Sequence, residues 1–136
     1  MFYRMNVAGL DRDLPICRGT DSLYIAGFVI FGDQELTVAC ARELLKKAPE
    51  YDYIITAEAK GIPLAHEMSR QSGKKYFVAR KKPKLYMTGV FDVVVNSITT
   101  EGEQKLYLDI AEAEEIKQNA FEEIENEKNR VKEQLE

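Results

Sequence analysis

Two short stretches of this chain carry side chains suited to holding an anion. The first, Thr56-Ala57-Glu58-Ala59-Lys60-Gly61-Ile62-Pro63, sets a carboxylate, a lysine and a glycine directly after an apolar run. Where such a loop opens a helix, unpaired backbone N–H groups and the positive end of the helix dipole attract phosphate. Gly61 lets the backbone approach a ligand closely, and Lys60 adds a positive charge. The same residues also suit a plain connection in which Lys60 is solvated and Glu58 caps the helix. The second stretch, Arg80-Lys81-Lys82-Pro83-Lys84-Leu85, is the one basic cluster. Ligands of parallel α/β sheets bind outside the carboxyl ends of the strands, so two basic loops at such ends would converge on one anion. The competing reading is a solvated basic turn shaped by Pro83.

Other candidates are less specific. His66 is the only histidine and falls inside a helical pattern, which suits packing or the surface better than general base work. Tyr24, Phe28 and Phe31 have rings that would stack a purine, but in an apolar run they read as core. Cys17 and Cys40 have no metal-like spacing and read as reduced packing residues, and no metal site is expected.

These loops need strands and helices to position them. Residues 23–31 (LYIAGFVIF) are a buried strand or a mixed segment, followed by Gly32-Asp33 as a turn and helix cap. The spacing of Leu36, Ala39, Cys40 and Leu44 predicts a helix over 34–48, ending before Pro49. Tyr53 to Ala57 is apolar and β-branched, as in a central strand covered on both faces. A helix from Pro63 to Ser72 stops at Gly73, and Tyr76 to Ala79 is the next strand. That order predicts a right-handed βαβ unit. Val90 to Ile98 and Lys105 to Asp109 predict a β-hairpin across the polar Thr99-Thr100-Glu101-Gly102-Glu103-Gln104. From Ile110 onward, Ala113, Ile116, Ala120, Ile124, Val131 and Leu135 mark a long amphipathic helix. The expected organisation is an α/β domain over 1–110 and an acidic helical tail over 111–136.

With 136 residues, 45% hydrophobic and 31% charged, the chain has the composition of one globular domain. Its net charge of −4 is uneven: residues 111–136 hold 4 basic and 9 acidic side chains, whereas residues 1–110 hold 15 and 14. An acidic tail argues against a nucleic-acid partner. The longest apolar run is too short to span a bilayer and the N-terminus lacks a signal-peptide pattern, so a soluble, cytoplasmic protein without a membrane partner is expected.

The stretch from Glu58 to Asp109 resembles type I phosphoribosyltransferases of the adenine and xanthine kind. It holds a Glu-Ala-Lys-Gly loop, then Arg80-Lys81-Lys82 with Lys84-Leu85, then a hairpin closing on Leu106-Tyr107-Leu108-Asp109. The resemblance implies a parallel sheet with flanking helices and a mobile β-hairpin flap from Met87 to Lys105. It implies pyrophosphate contacts from Glu58, Ala59, Lys60, Gly61, Arg80 and Lys84, in a loop that in the family often contains a non-proline cis peptide. The reaction would move a phosphoribosyl group from phosphoribosyl pyrophosphate, with Mg²⁺, to a purine nitrogen and release pyrophosphate.

The family continues into a Thr-Gly-Gly-Thr loop that cradles the donor's 5′-phosphate. Here the last glycine is Gly102, and the acidic pairs Glu114-Glu115 and Glu122-Glu123 lie in a helical pattern. The expectation is therefore an incomplete phosphoribosyltransferase-like fold that binds phosphate, pyrophosphate or a nucleotide with weak or absent turnover. A homodimer is expected, since a lost strand leaves a sheet edge to cover. The alternative is an interaction or nucleotide-binding module that dimerises through its tail helix.

Overall fold

The structure, a computed structural model, describes residues 1–96 and 102–135. The tip of the expected flap, including Ile98, Thr99, Thr100 and Glu101, lies outside the described residues. The chain divides into two compact units, Met1–Tyr76 and Phe77–Glu136.

The first unit opens with three antiparallel strands in the order β1 (Phe2–Val7), β2 (Leu10–Arg18), β3 (Tyr24–Ala26). Ala8 and Gly9 join the first two with positive φ angles of 52° and 82°, the geometry of a two-residue turn whose twist matches its strands. The register sets Arg4 opposite Asp13, and their side chains pair at 2.8 Å. Pro15 sits in β2 without an N–H, yet its carbonyl accepts from Gly27 at 2.8 Å, so the ladder loses only a donor there.

Helix α1 (Gln34–Lys47) starts as the sequence predicts: the Asp33 carboxylate accepts from the Leu36 N–H at 3.0 Å. Strand β4 (Ile54–Ala57) leads into α2 (Ile62–Ser72), with Pro63 in its first turn. The helix stops at Gly73, whose φ of 72° turns its N–H onto the Ser69 carbonyl at 2.8 Å. α1 and α2 pack against each other, and Leu36, Ala39 and Ala41 of α1 and Ala65 of α2 are buried. The Gln71 amide adds a hydrogen bond to the Val38 carbonyl.

Two expectations for this unit are corrected. Residues 23–31 take the mixed form and not that of a buried strand: only Tyr24–Ala26 is strand, all three are exposed, and Ile30 alone is buried. Tyr24, Phe28 and Phe31 are therefore not core residues, since all three are exposed, Tyr24 on the edge strand β3 and the two phenylalanines in the irregular stretch after it. Nor is β4 covered on both faces, since Ile55 and Ala57 point outward and Ile55 is 58% exposed.

Strand β5 (Tyr76–Ala79) begins on the last residue of the first unit and continues into the second, where Phe77, Ala79 and Leu108 are buried. Strands β6 (Val90–Val95) and β7 (Gln104–Asp109) pair antiparallel from Val90↔Asp109 to Val95↔Gln104, the two arms of the expected hairpin. Helix α3 (Ile110–Leu135) follows without a loop, its first turn capped by Asp109, which accepts from the Ala111 N–H at 3.3 Å. The Gly89 carbonyl accepts from the Ile110 N–H at 3.0 Å, and a Cβ at Gly89 would come within 3.2 Å of Ile110. Past its first turns α3 is not folded onto its unit: Phe121, Ile124 and Val131 stay exposed.

Candidate anion-binding loops

In the first unit, Glu58 to Gly61 form the turn between β4 and α2. The Glu58–Ala59 peptide bond is cis. Glu58 is half-buried, and Ala59 and Lys60 are exposed at the mouth of the loop. Gly61 is the N-cap of α2 and offers no side-chain cap, and the first turn holds no acidic residue. The partial positive charge of this helix end is therefore not neutralised by its own sequence. Within the turn, Ile62 N–H donates to Ala59 O at 3.2 Å and Ala65 N–H to Gly61 O at 2.9 Å.

The glycine is fixed by a neighbour rather than by its backbone angles. At φ −78° and ψ −12° Gly61 is in the ordinary helical region. A Cβ built on it would run into Thr56 Oγ1 and lie 3.4 Å from Thr56 Cβ. Thr56, at the end of β4, thus presses its hydroxyl against the glycine that opens the helix. Thr56 carried no signal in the sequence beyond its place in the motif.

In the second unit, Arg80 is half-buried and held on β7 by paired backbone bonds, Arg80 N–H to Tyr107 O at 2.7 Å and Tyr107 N–H to Arg80 O at 2.8 Å. Its guanidinium donates to the Tyr86 hydroxyl at 3.0 Å. Lys84 is half-buried in a turn closed by the Met87 N–H on its carbonyl. Lys81 and Lys82 line a cleft of about 550 Å³ with Lys105 and Tyr107. Lys105 is held protonated above its ordinary range by a hydrogen bond and ion pair with Asp92. The six residues read from the sequence thus fall into two groups, Glu58 to Gly61 in one unit and Arg80 with Lys84 in the other.

Sequence reasoning missed the ion-pair network on α1. Arg12 of β2 pairs with Asp33 at 2.6 Å and with Glu35 at 3.0 Å. The Arg12 hydrogen bond and the Leu36 N–H hold the Asp33 carboxyl below its ordinary range. On α2, Glu67 accepts from Arg70 at 2.7 Å and from Gln71 at 2.8 Å, which brings its carboxyl down to about 2. Glu67, Asp33, Thr37 and His66 line a cleft of about 300 Å³. His66 packs edge-on against Tyr76 with ring centroids 5.8 Å apart, a packing contact as the sequence suggests. Cys17 is exposed and not a packing residue, because it lies where β2 meets the edge strand β3, whereas Cys40 is half-buried and its thiol is pushed up by burial.

No protein-family model matches the chain, and none of the curated proteins matches it. Among solved structures, the adenine phosphoribosyltransferase of Thermoanaerobacter pseudethanolicus is similar, with a TM-score of 0.54 and 16% identity over 70% of this chain. The fold is thus a phosphoribosyltransferase-like mixed α/β fold. The chain spans 56% of the length of that enzyme. No helix among the described residues is long and apolar enough to cross a membrane.

Proposed function

We propose that the loop Glu58-Ala59-Lys60-Gly61 binds the pyrophosphate or phosphate group of a nucleotide-like ligand, within an incomplete phosphoribosyltransferase sheet whose parallel crossover is β4–α2–β5. The observation that supports this most is Gly61, an uncapped helix start held bare by Thr56. Such a start offers N–H groups to an anion without a side chain in the way. Lys60 supplies a mobile charge. Arg80 and Lys84 serve the same class of ligand from the second unit. In this reading phosphoribosyl transfer to a purine is weak or absent, because the residues after Asp109 form the acidic helix α3 where the enzymes carry their donor loop. Mg²⁺ would accompany a phosphoribosyl pyrophosphate donor. Among the described residues no group of three or more His, Cys, Asp or Glu is placed to hold a metal ion.

Isothermal titration of the full chain with pyrophosphate, phosphoribosyl pyrophosphate and purine nucleotides tests the reading. Lys60→Ala should weaken pyrophosphate binding by about 5-fold or less, as for one exposed charge in water, and the loss should shrink in high salt. No heat with any of these ligands refutes the binding site, and robust purine consumption with Mg²⁺ and phosphoribosyl pyrophosphate refutes the weak turnover.

A further inference from the structure

Residues 123–132, in the outer half of α3, read Glu-Ile-Glu-Asn-Glu followed by Lys-Asn-Arg-Val-Lys. Turned end for end about the midpoint between Glu127 and Lys128, every position meets its complement. Glu127 comes level with Lys128, Asn126 with Asn129, Glu125 with Arg130, Ile124 with Val131, and Glu123 with Lys132. A two-fold interface brings one surface patch against itself in this manner, residue i against j and j against i.

We propose that α3 pairs antiparallel with α3 of a second copy of this chain, on a two-fold axis passing between Glu127 and Lys128. Ile124, Glu127, Lys128 and Val131 share one helix face by their spacing of three and four residues. That face is open, with Ile124 65% and Val131 44% exposed. It also carries a shallow cleft of about 550 Å³, lined by Glu123, Ile124, Glu127, Lys128, Val131 and Lys132. In the pair, Ile124 of each copy packs on Val131 of the other, flanked on both sides by opposite charges.

A parallel pair would instead set Glu123 on Glu123, Lys128 on Lys128 and Lys132 on Lys132. The wider helix repeats this bias, since residues 112–127 hold seven glutamates and one lysine while 128–133 hold three basic residues and one glutamate. Antiparallel pairing also opposes the two helix dipoles favourably. The existing bridges Lys128–Glu125 at 3.4 Å and Arg130–Glu127 at 2.7 Å are exposed, so exchanging them for bridges between copies costs little. The complementarity stops at Glu122, which comes level with Glu133, so the matched segment is about 14 Å of helix. The resulting dimer is weak, and it is independent of anion binding by the loop before α2.

Sedimentation equilibrium of the full chain at high micromolar concentration tests the pairing. A reversible monomer–dimer equilibrium is expected. Ile124→Glu should raise the dissociation constant about tenfold or more, with helix content by circular dichroism unchanged. Glu127→Lys alone and Lys128→Glu alone should each weaken the dimer, and the exchanged double variant E127K/K128E should restore it. For orientation, an Ile124→Cys chain is mixed with a Val131→Cys chain, oxidised and mapped by mass spectrometry. Disulfides joining position 124 of one chain to 131 of the other support the proposal. A chain that stays monomeric, a 124-to-124 disulfide as the main product, or a double variant no better than the single ones overturns it.

Discussion

Gly61→Ala separates a steric requirement from a conformational one. The backbone at Gly61 is helical and free of strain for alanine. Replacing glycine at such a site ordinarily stabilises by about 0.4–1 kcal/mol, because the unfolded chain loses freedom. Against that gain stands the clash with Thr56 Oγ1, the nearest contact, ahead of Thr56 Cβ at 3.4 Å and Ala57 O at 3.8 Å. Overpacking of this kind costs about 1–3 kcal/mol, since Thr56 must leave its rotamer or the start of α2 must move. The net expectation in the native background is a loss of about 0.5–2 kcal/mol in urea unfolding. Thr56→Ala removes the offending oxygen and leaves Cβ at an ordinary contact distance. In the Thr56→Ala background, Gly61→Ala should therefore become neutral or stabilising, giving a coupling of about 1–3 kcal/mol in the double-mutant cycle. Gly61→Ala that stabilises the native protein outright would refute the close approach on which the anion loop rests.

Three further outcomes follow from the same unit. Gly73→Ala places a Cβ at φ 72° and should destabilise by about 1 kcal/mol in the same urea assay. Asp33→Ala removes the cap of α1 together with the partner of Arg12 and should cost about 1–2 kcal/mol, with Asp33→Asn recovering part of it. Glu67 is held at about 2 against an ordinary 4.5, so it stays ionised more readily in the folded chain. Its bonds to Arg70 and Gln71 contribute fully above pH 4.5, and the contribution is lost as the pH falls from 4.5 toward 2. Glu67→Gln should flatten the pH dependence of stability in that window, and an unchanged acid limb would count against the Glu67–Arg70–Gln71 geometry.

The helices were legible because their ends are written locally. Asp33 three residues before Leu36, Pro63 in a first turn and Gly73 after Ser72 each act over one turn of chain, and the structure starts and stops α1 and α2 within a residue or so of the expected places. The first three strands were not legible. β1 has five exposed positions out of six, so no buried face imposes an alternation to read, and Pro15 interrupts β2. The turn proposed to bind an anion was legible in outline, since a lysine and a glycine between an apolar run and a helix stand out in any register. Its steric lock was not, because Thr56 and Gly61 are both common in turns and only their folded positions bring the hydroxyl against the glycine. Arg12 was equally invisible, reaching Asp33 across 21 residues of sequence.

A loop of this kind asks little of side-chain identity. The groups it presents to an anion are backbone N–H groups and a helix dipole, which any residue supplies once the turn is formed. What the sequence must preserve is the absence of obstruction at Gly61, the neutral first turn of α2 and a strand end that delivers Thr56 beneath it. Three such constraints in 136 residues are compatible with a phosphoribosyltransferase-like fold at 16% identity to an enzyme of that kind. They are equally compatible with the proposal that the chain keeps an anion loop while the segment after Asp109 serves another use. The pairing of α3 proposed above would give that segment a use of its own, because its order of charges serves local bridges such as Lys128–Glu125 and Arg130–Glu127 and is also self-complementary end for end.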